Sequence, residues 1–166
     1  MRQESPNDTI AVYDLIKLAF TGIEHSNGHE QDLVQQLRKT QDFIPELSLL
    51  AESEGKIIGH IMFIKVMIND THILCLAILS VHPDYQRIGI GSALIHKGHK
   101  IAYELGYTIC VLVGHKDYYP RFGYEIASQY DIKLPFKVPD ECVMVKFLSD
   151  NSKGIKGMVQ FPSEYQ

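Results

Sequence analysis

The feature that most constrains this chain is an apolar strand running into a glycine-bearing helix start. Ile73 to Val81 is apolar on both alternating sets apart from Ser80, the pattern of a central strand covered on both faces. It leads through Val81-His82-Pro83-Asp84-Tyr85 into Gln86-Arg87-Ile88-Gly89-Ile90-Gly91-Ser92. Without a β-carbon, Gly89 and Gly91 let backbone N–H groups approach a ligand, and a helix start adds unpaired donors and a positive dipole end. Arg87 supplies a cation that can fork onto phosphate oxygens. Residues 85 to 103 hold Arg87, His96, Lys97, His99 and Lys100 and no Asp or Glu, in a chain of net charge −4. The pattern predicts a phosphate cradle; an ordinary strand-to-helix turn on a solvated basic face is the plain alternative. A dinucleotide fingerprint would need glycine where Leu94 stands, and a Walker A loop would need Gly-Lys-Ser/Thr.

The rest of the chain predicts one soluble domain over residues 1–166, since 45% hydrophobic and 22% charged residues are ordinary for a globular protein. The acidic balance argues against a general nucleic-acid or membrane-surface binder. Cys75, Cys110 and Cys142 are widely spaced in apolar runs, without C-x-x-C spacing, and read as buried small hydrophobes in a reducing cytoplasm. Met1 to Phe20 has no basic-then-apolar leader, and the run Ile57 to Ile68, broken by Gly59, His60 and Lys65, is too short to span a bilayer.

Along the chain, a short opening strand precedes Ser5-Pro6-Asn7-Asp8, which reads as a cap with proline in the first turn, starting a helix to about Phe20. A second amphipathic helix spans His29 to Thr40, and Pro45 ends that region. Leu47 to Ser53 and Lys56 to Ile68 form a hairpin about Glu54-Gly55. After the cradle, Ile90, Leu94, Gly98, Ile101 and Leu105 make one inward stripe that Gly106 closes, with Gly98 marking close packing on the sheet. Thr108 to Val113 reads as a buried strand parallel to Ile73–Val81. Then follow Tyr124 to Ile126, Cys142 to Leu148 and Met158 to Phe161 as further strand-like runs.

Gln86-x-x-Gly89-x-Gly91 resembles the Gln/Arg-x-x-Gly-x-Gly/Ala signature of the GNAT superfamily of N-acetyltransferases, whose loop holds the pyrophosphate of coenzyme A. Tyr119-Pro120-Arg121-Phe122-Gly123-Tyr124 matches that family's second landmark, at the right separation, and the element order fits over essentially the whole chain. The chain resembles the small bacterial members. The resemblance implies an α/β (α+β) GNAT fold: a mixed, mostly antiparallel sheet of about six to seven strands, with a splayed parallel pair and flanking helices. It implies acetyl-CoA as cosubstrate, with backbone groups of Leu79 and Val81 pairing with the pantetheine arm. Gln86 and the amides of Arg87, Ile88, Gly89, Ile90, Gly91 and Ser92 would meet the pyrophosphate, with Lys97 and Lys100 near the nucleotide phosphate.

It further implies Tyr119 as the group that donates to the leaving thiolate, with Tyr118 the weaker candidate and more simply a packed ring. Free tyrosine has a pKa near 10 and an alkyl thiol near 8.5, so full proton transfer is uphill by roughly 2 kcal/mol and a hydrogen bond suffices. The oxyanion falls to a strand amide near Val81. Strand 73–81 has no carboxylate where some relatives carry a catalytic glutamate, so the amine loses its proton through water; Glu30, His25, His29 and His60 are alternatives. No metal is expected, because H-E-x-x-H spacing is missing. Gly114-His115-Lys116-Asp117 stands where many relatives carry an asparagine. The implied acceptor is a primary amine of a small molecule or protein, chosen by the loops at 21–29 and 127–141, with no nucleic-acid or membrane partner and a homodimer left open. Because a fold does not guarantee its chemistry, a non-catalytic acetyl-CoA-binding sensor or interaction module is the alternative.

Overall fold

The computed structural model describes residues 1–165. Strand β1 (Arg2–Gln3) leads to helix α1 (Thr9–Phe20) and helix α2 (Glu30–Leu37), then to a meander of β2 (Phe43–Ser53), β3 (Lys56–Ile68) and β4 (Thr71–Val81). Helix α3 (Ile90–Glu104) crosses to β5 (Ile109–Val113), and β6 (Glu125–Ile126), β7 (Ile132–Lys133), β8 (Val143–Phe147) and β9 (Gly157–Gln160) complete the order. The sheet runs β1-β2-β3-β4-β5-β8-β6, with β9 pairing both β3 and β7. All pairs are antiparallel except β4 with β5 and β7 with β9. The expected fold class therefore holds, with the two short strands β7 and β9 added beside the main path.

The central strands are largely apolar because each face is roofed. Met62, Ile64 and Val66 of β3 pack with Val12 and Ile16 of α1 and Val34 and Leu37 of α2, whereas Ile61 and Phe63 pack with Leu94, Ile95 and Ala102 of α3. Gly98 is the point of closest approach: a β-carbon there would lie 2.3 Å from Cε2 of the fully buried Phe63. Among the described residues no helix is long and apolar enough to cross a membrane.

Three local readings are corrected. Pro6–Asp8 forms a separate 3-10 turn ahead of α1, pinned by Asp8, which accepts from Ser5 N at 2.7 Å and from Arg2 through both carboxylate oxygens at 2.7 and 2.8 Å. Helix α2 stops at Leu37, and Lys39 N to Gln36 O and Thr40 N to Leu37 O, both 3.1 Å, tighten it into a turn. Pro45 lies inside β2, where the register slips between Phe43↔Ile64 and Ser48↔Met62; the irregularity accommodates a residue with no ladder donor.

Candidate active site

The site begins where β4 and β5 part. They pair only at Leu74↔Cys110 and Cys75↔Val111, although β4 continues to Val81 and β5 to Val113. Beyond that point β4 stays with β3 as far as Gly59↔Val81, and β5 stays with β8 as far as Val113↔Val143. The cause is a bulge: Met62 pairs with Ile78 and Phe63 with Leu76, so Ala77 is an extra residue that bends β4 away from β5. Past the bulge, His82 N donates to Ile58 O at 2.8 Å. Strand alternation then turns the backbone groups of Leu79 and Val81 toward the gap. Val81 O there accepts from Gln86 Nε2 at 3.2 Å, which ties the following turn to the strand edge.

Beyond the strand end lies an open cleft of about 650 Å³. Leu79 and Val81 form one wall, and Gln86, Arg87, Gly89, Ile90, Gly91 and Ser92 form its floor. Arg87 and Gly89 are left-handed, with φ +65° and +93°, so the chain enters α3 through two unusual conformers. For Gly89 the dihedral is the reason for glycine, since nothing lies within 4 Å of an added β-carbon; for Gly91 it is space, since a β-carbon would meet Tyr118 Oη at 2.9 Å and Leu79 and Val81 methyls at 3.7 Å. The helix ladder starts with Ala93 N to Gly89 O at 3.0 Å, leaving the amides of Ile90, Gly91 and Ser92 without a backbone acceptor. Ile88 is 69% exposed and points its side chain outside the cleft. Lys97 and Lys100 are exposed on α3 and do not line it.

The remaining lining is Tyr118, the weaker of the two donor candidates, together with Tyr85 and Arg121, which sequence reasoning did not assign to the cleft. Tyr119 is not in that lining. Its ring lies over Gly114, where a β-carbon would meet Cε2 at 2.4 Å, and stands edge-on to Tyr118 and Tyr124 at 5.0 and 5.9 Å. Gly114 is thus the residue that admits this ring. Burial pushes the Tyr119 phenol well above its ordinary value, so it holds its proton. Behind it, His99 Nε2 lies 2.8 Å from Tyr124 Oη, which donates to Cys110 Sγ at 3.2 Å; burial, then the Lys146 and His96 charges, push His99 down to about 4.

The candidate bases are not brought to the cleft. His60 is fully buried, and burial, then Arg38, push it down to about 3. Its Nε2 lies 3.0 Å from Ser48 Oγ, which donates to Glu4 Oε1 at 3.2 Å, and Arg38 forks onto Glu4 at 2.8 and 2.7 Å. His60 Nδ1 and Ser80 Oγ, on directly paired residues of β3 and β4, are buried without a partner. Glu30 sits in the first turn of α2 accepting from Ser26 Oγ at 2.5 Å, and His25 and His29 are exposed beside it.

Comparison with known proteins adds independent findings. The family model "Acetyltransferase (GNAT) domain" matches residues 45–126. The chain is 34% identical over 139 residues to the uncharacterised N-acetyltransferase YjhQ of Escherichia coli K12, covering 79% of this chain and 77% of that protein. The crystal structure of the GNAT-family N-acetyltransferase YhbS from Escherichia coli in complex with CoA superposes with a TM-score of 0.89 at 26% identity, covering 99% of this chain and 89% of that one. A GNAT-family acetyltransferase from Brucella melitensis in complex with acetyl-CoA gives 0.83 at 28% identity, covering 99% and 96%.

Proposed function

Since the chain belongs to the GNAT family of acetyltransferases, we propose that it is an N-acetyltransferase moving an acetyl group from acetyl-CoA directly onto a primary amine of a small molecule or protein. The observation that carries the reading is the gap between β4 and β5 opening onto a cleft lined by two arginines and no carboxylate. The residues fit the coenzyme. Leu79 and Val81 offer strand-edge groups for the pantetheine amides, and the unpaired amides of Ile90, Gly91 and Ser92, with Arg87 and the Ser92 hydroxyl, suit a diphosphate. Gln86 keeps the turn in place through Val81 O, and Ile88 contributes backbone alone. Relatives of this fold are seen with CoA and with acetyl-CoA, which supports the same choice here.

When bound, acetyl-CoA supplies an activated thioester whose thiol is the leaving group. Around it, the chain's own tasks are to hold that thioester in the gap, to receive negative charge with a strand amide near Val81, and to donate to the departing sulfur. The family resemblance gives Tyr119 the last task; with its phenol raised by burial, it would offer the sulfur a hydrogen bond rather than a proton. A specific observation favours Tyr118 as the alternative donor: it lines the cleft and Tyr119 does not. No carboxylate or accessible imidazole stands in the cleft lining, so the amine loses its proton to water. The three cysteines are free, which suits the reducing cytoplasm.

The test combines binding and turnover. Acetyl-CoA should raise the melting temperature by linkage, whereas NADH and ATP should not; thiol release should follow on adding a primary amine. Equal binding of all three nucleotides would overturn the coenzyme assignment. Selective binding with no release on any amine class, from polyamines to peptide N-termini, would favour the sensor.

A further inference from the structure

Arg121 is unassigned by the reading above, yet its surroundings are those of a ligand residue. It lies in the 3-10 turn Tyr119–Phe122, which Gly123 closes in a left-handed conformation at φ +92°. The turn folds Arg121 back over its own base: Nε donates to Tyr118 O at 3.0 Å, and the guanidinium carbon sits 4.7 Å from the centre of the Tyr118 ring. With Nε engaged, the two terminal amino groups stay free. No carboxylate pairs with Arg121 or Arg87 among the described residues, whereas the other two arginines, Arg2 and Arg38, are both paired.

The Tyr118 ring is a packed platform. It stands edge-on to Tyr119 at 5.0 Å and to Phe122 at 5.3 Å, and its hydroxyl reaches the empty side of Gly91, 2.9 Å from where a β-carbon would stand. One side chain therefore spans from the first turn of α3 to the Arg121 guanidinium. The same cleft is lined by Arg87 and by the turn whose amides precede the α3 ladder. Two unpaired guanidinium groups and a helix N-terminus converge without a carboxylate to balance them, and an anion between them would relieve that excess.

We propose that Arg121 is a second cation of the coenzyme site, holding the diphosphate together with Arg87, with Tyr118 as the platform that aims it. The proposal rests on the coenzyme A reading. It assigns the diphosphate rather than the 3′-phosphate because Tyr118 ties Arg121 to the α3 start, where the diphosphate-binding amides lie. A mechanical consequence follows. The turn that carries Tyr119 is held to the coenzyme through Arg121, so binding the phosphate end orders the residue that serves the sulfur end.

The experiment is calorimetric titration of wild type, Arg121→Ala and Arg121→Lys with CoA and with 3′-dephospho-CoA, plus hydrogen exchange with and without CoA. Loss of charge-assisted bonds to one phosphate should weaken Arg121→Ala by roughly 10- to 100-fold, and equally for the two ligands. Arg121→Lys should fall between, keeping charge and losing the fork and the ring contact. CoA should slow exchange at residues 118–123 in wild type and not in Arg121→Ala, while protection at 87–92 persists in both. Because Arg121 is exposed, melting temperatures without ligand should agree. Unchanged affinity in Arg121→Ala would overturn the proposal, and so would a loss confined to CoA and absent with 3′-dephospho-CoA, which would move Arg121 to the 3′-phosphate. Wild type failing to bind CoA at all would remove the coenzyme reading itself, and the clamp with it.

Discussion

Gly89 and Gly91 stand two residues apart in one turn, and substituting each by alanine should give different signatures in stability. At Gly89 the added methyl meets nothing within 4 Å, so its effect comes from φ +93° alone. Forcing an L-residue into that region costs about 1–2 kcal/mol. For a chain of this length that corresponds to a melting temperature lower by roughly 2–8 °C, and because Gly89 lines the cleft the same strain weakens coenzyme binding as well. At Gly91 the backbone is ordinary and helical, and exchanging glycine for alanine there gains up to about 1 kcal/mol in helix propensity. Against this gain stands the contact with Tyr118 Oη at 2.9 Å, the far end of a side chain that can shift by a few tenths of an ångström. The two nearly cancel, so stability should stay within about 1 kcal/mol of wild type. The methyl, however, lands among Leu79, Val81 and Tyr118, all cleft-lining residues, and should weaken acetyl-CoA binding by roughly tenfold or more, a loss of about 1.4 kcal/mol. Thermal melts without ligand and calorimetric titration with acetyl-CoA separate the two. Gly91→Ala binding as wild type does, with Gly89→Ala unaltered in melting temperature, would refute the reasoning for both positions.

Tyr119→Phe should lower turnover by roughly 10²-fold at unchanged coenzyme affinity, as for a lost donor to developing charge, while Tyr118→Phe should cost much less; the reverse order in a thiol-release assay would pass the role to Tyr118. Gly98→Ala should destabilise by about 1–3 kcal/mol, because its β-carbon would sit 2.3 Å from a buried Phe63 ring that has nowhere to go; a urea midpoint equal to wild type would contradict the packing. His60 and His99 are pushed down to about 3 and about 4 from 6.5, so below pH 6.5 the unfolded chain binds protons that the native state refuses. Stability should therefore be flat above pH 6.5 and fall as pH drops toward 4, by up to about 1.4 kcal/mol per pH unit for each histidine. Chemical denaturation across that range checks it, and equal midpoints at pH 7 and pH 4.5 would contradict it.

The cradle was legible because its causes are local. Gly89 and Gly91 answer to a dihedral and a close approach, and an apolar strand running into an acid-free helix names the ligand's charge. The hairpin at Glu54-Gly55 and the stripe through Gly98 were readable for the same reason. The parting of β4 from β5 could be carried over only from the resemblance, since it comes from one extra residue, Ala77, and a count of that kind appears only when two strands are laid side by side. Pro45 reads as a breaker until a register slip takes up its missing donor. Strands of two residues such as Ile132–Lys133 carry no periodicity at all. Arg121 was missed as a cleft residue, and Tyr118 ranked below Tyr119, because an irregular 3-10 turn decides which ring faces outward, and here the decision is made by Gly114, which receives Tyr119. His60 looked like a base from its type alone; only its complete burial in the sheet, and then the Arg38 charge nearby, make it a neutral group.

The measurement that bears most directly on the central claim is a crystal structure of the protein grown with acetyl-CoA. The account predicts the pantetheine arm in the gap between β4 and β5, bonded to backbone groups of Leu79 and Val81, with the diphosphate on the amides ahead of the α3 ladder. Density for the coenzyme elsewhere on the surface, with the gap closed by direct β4–β5 pairing, would contradict it.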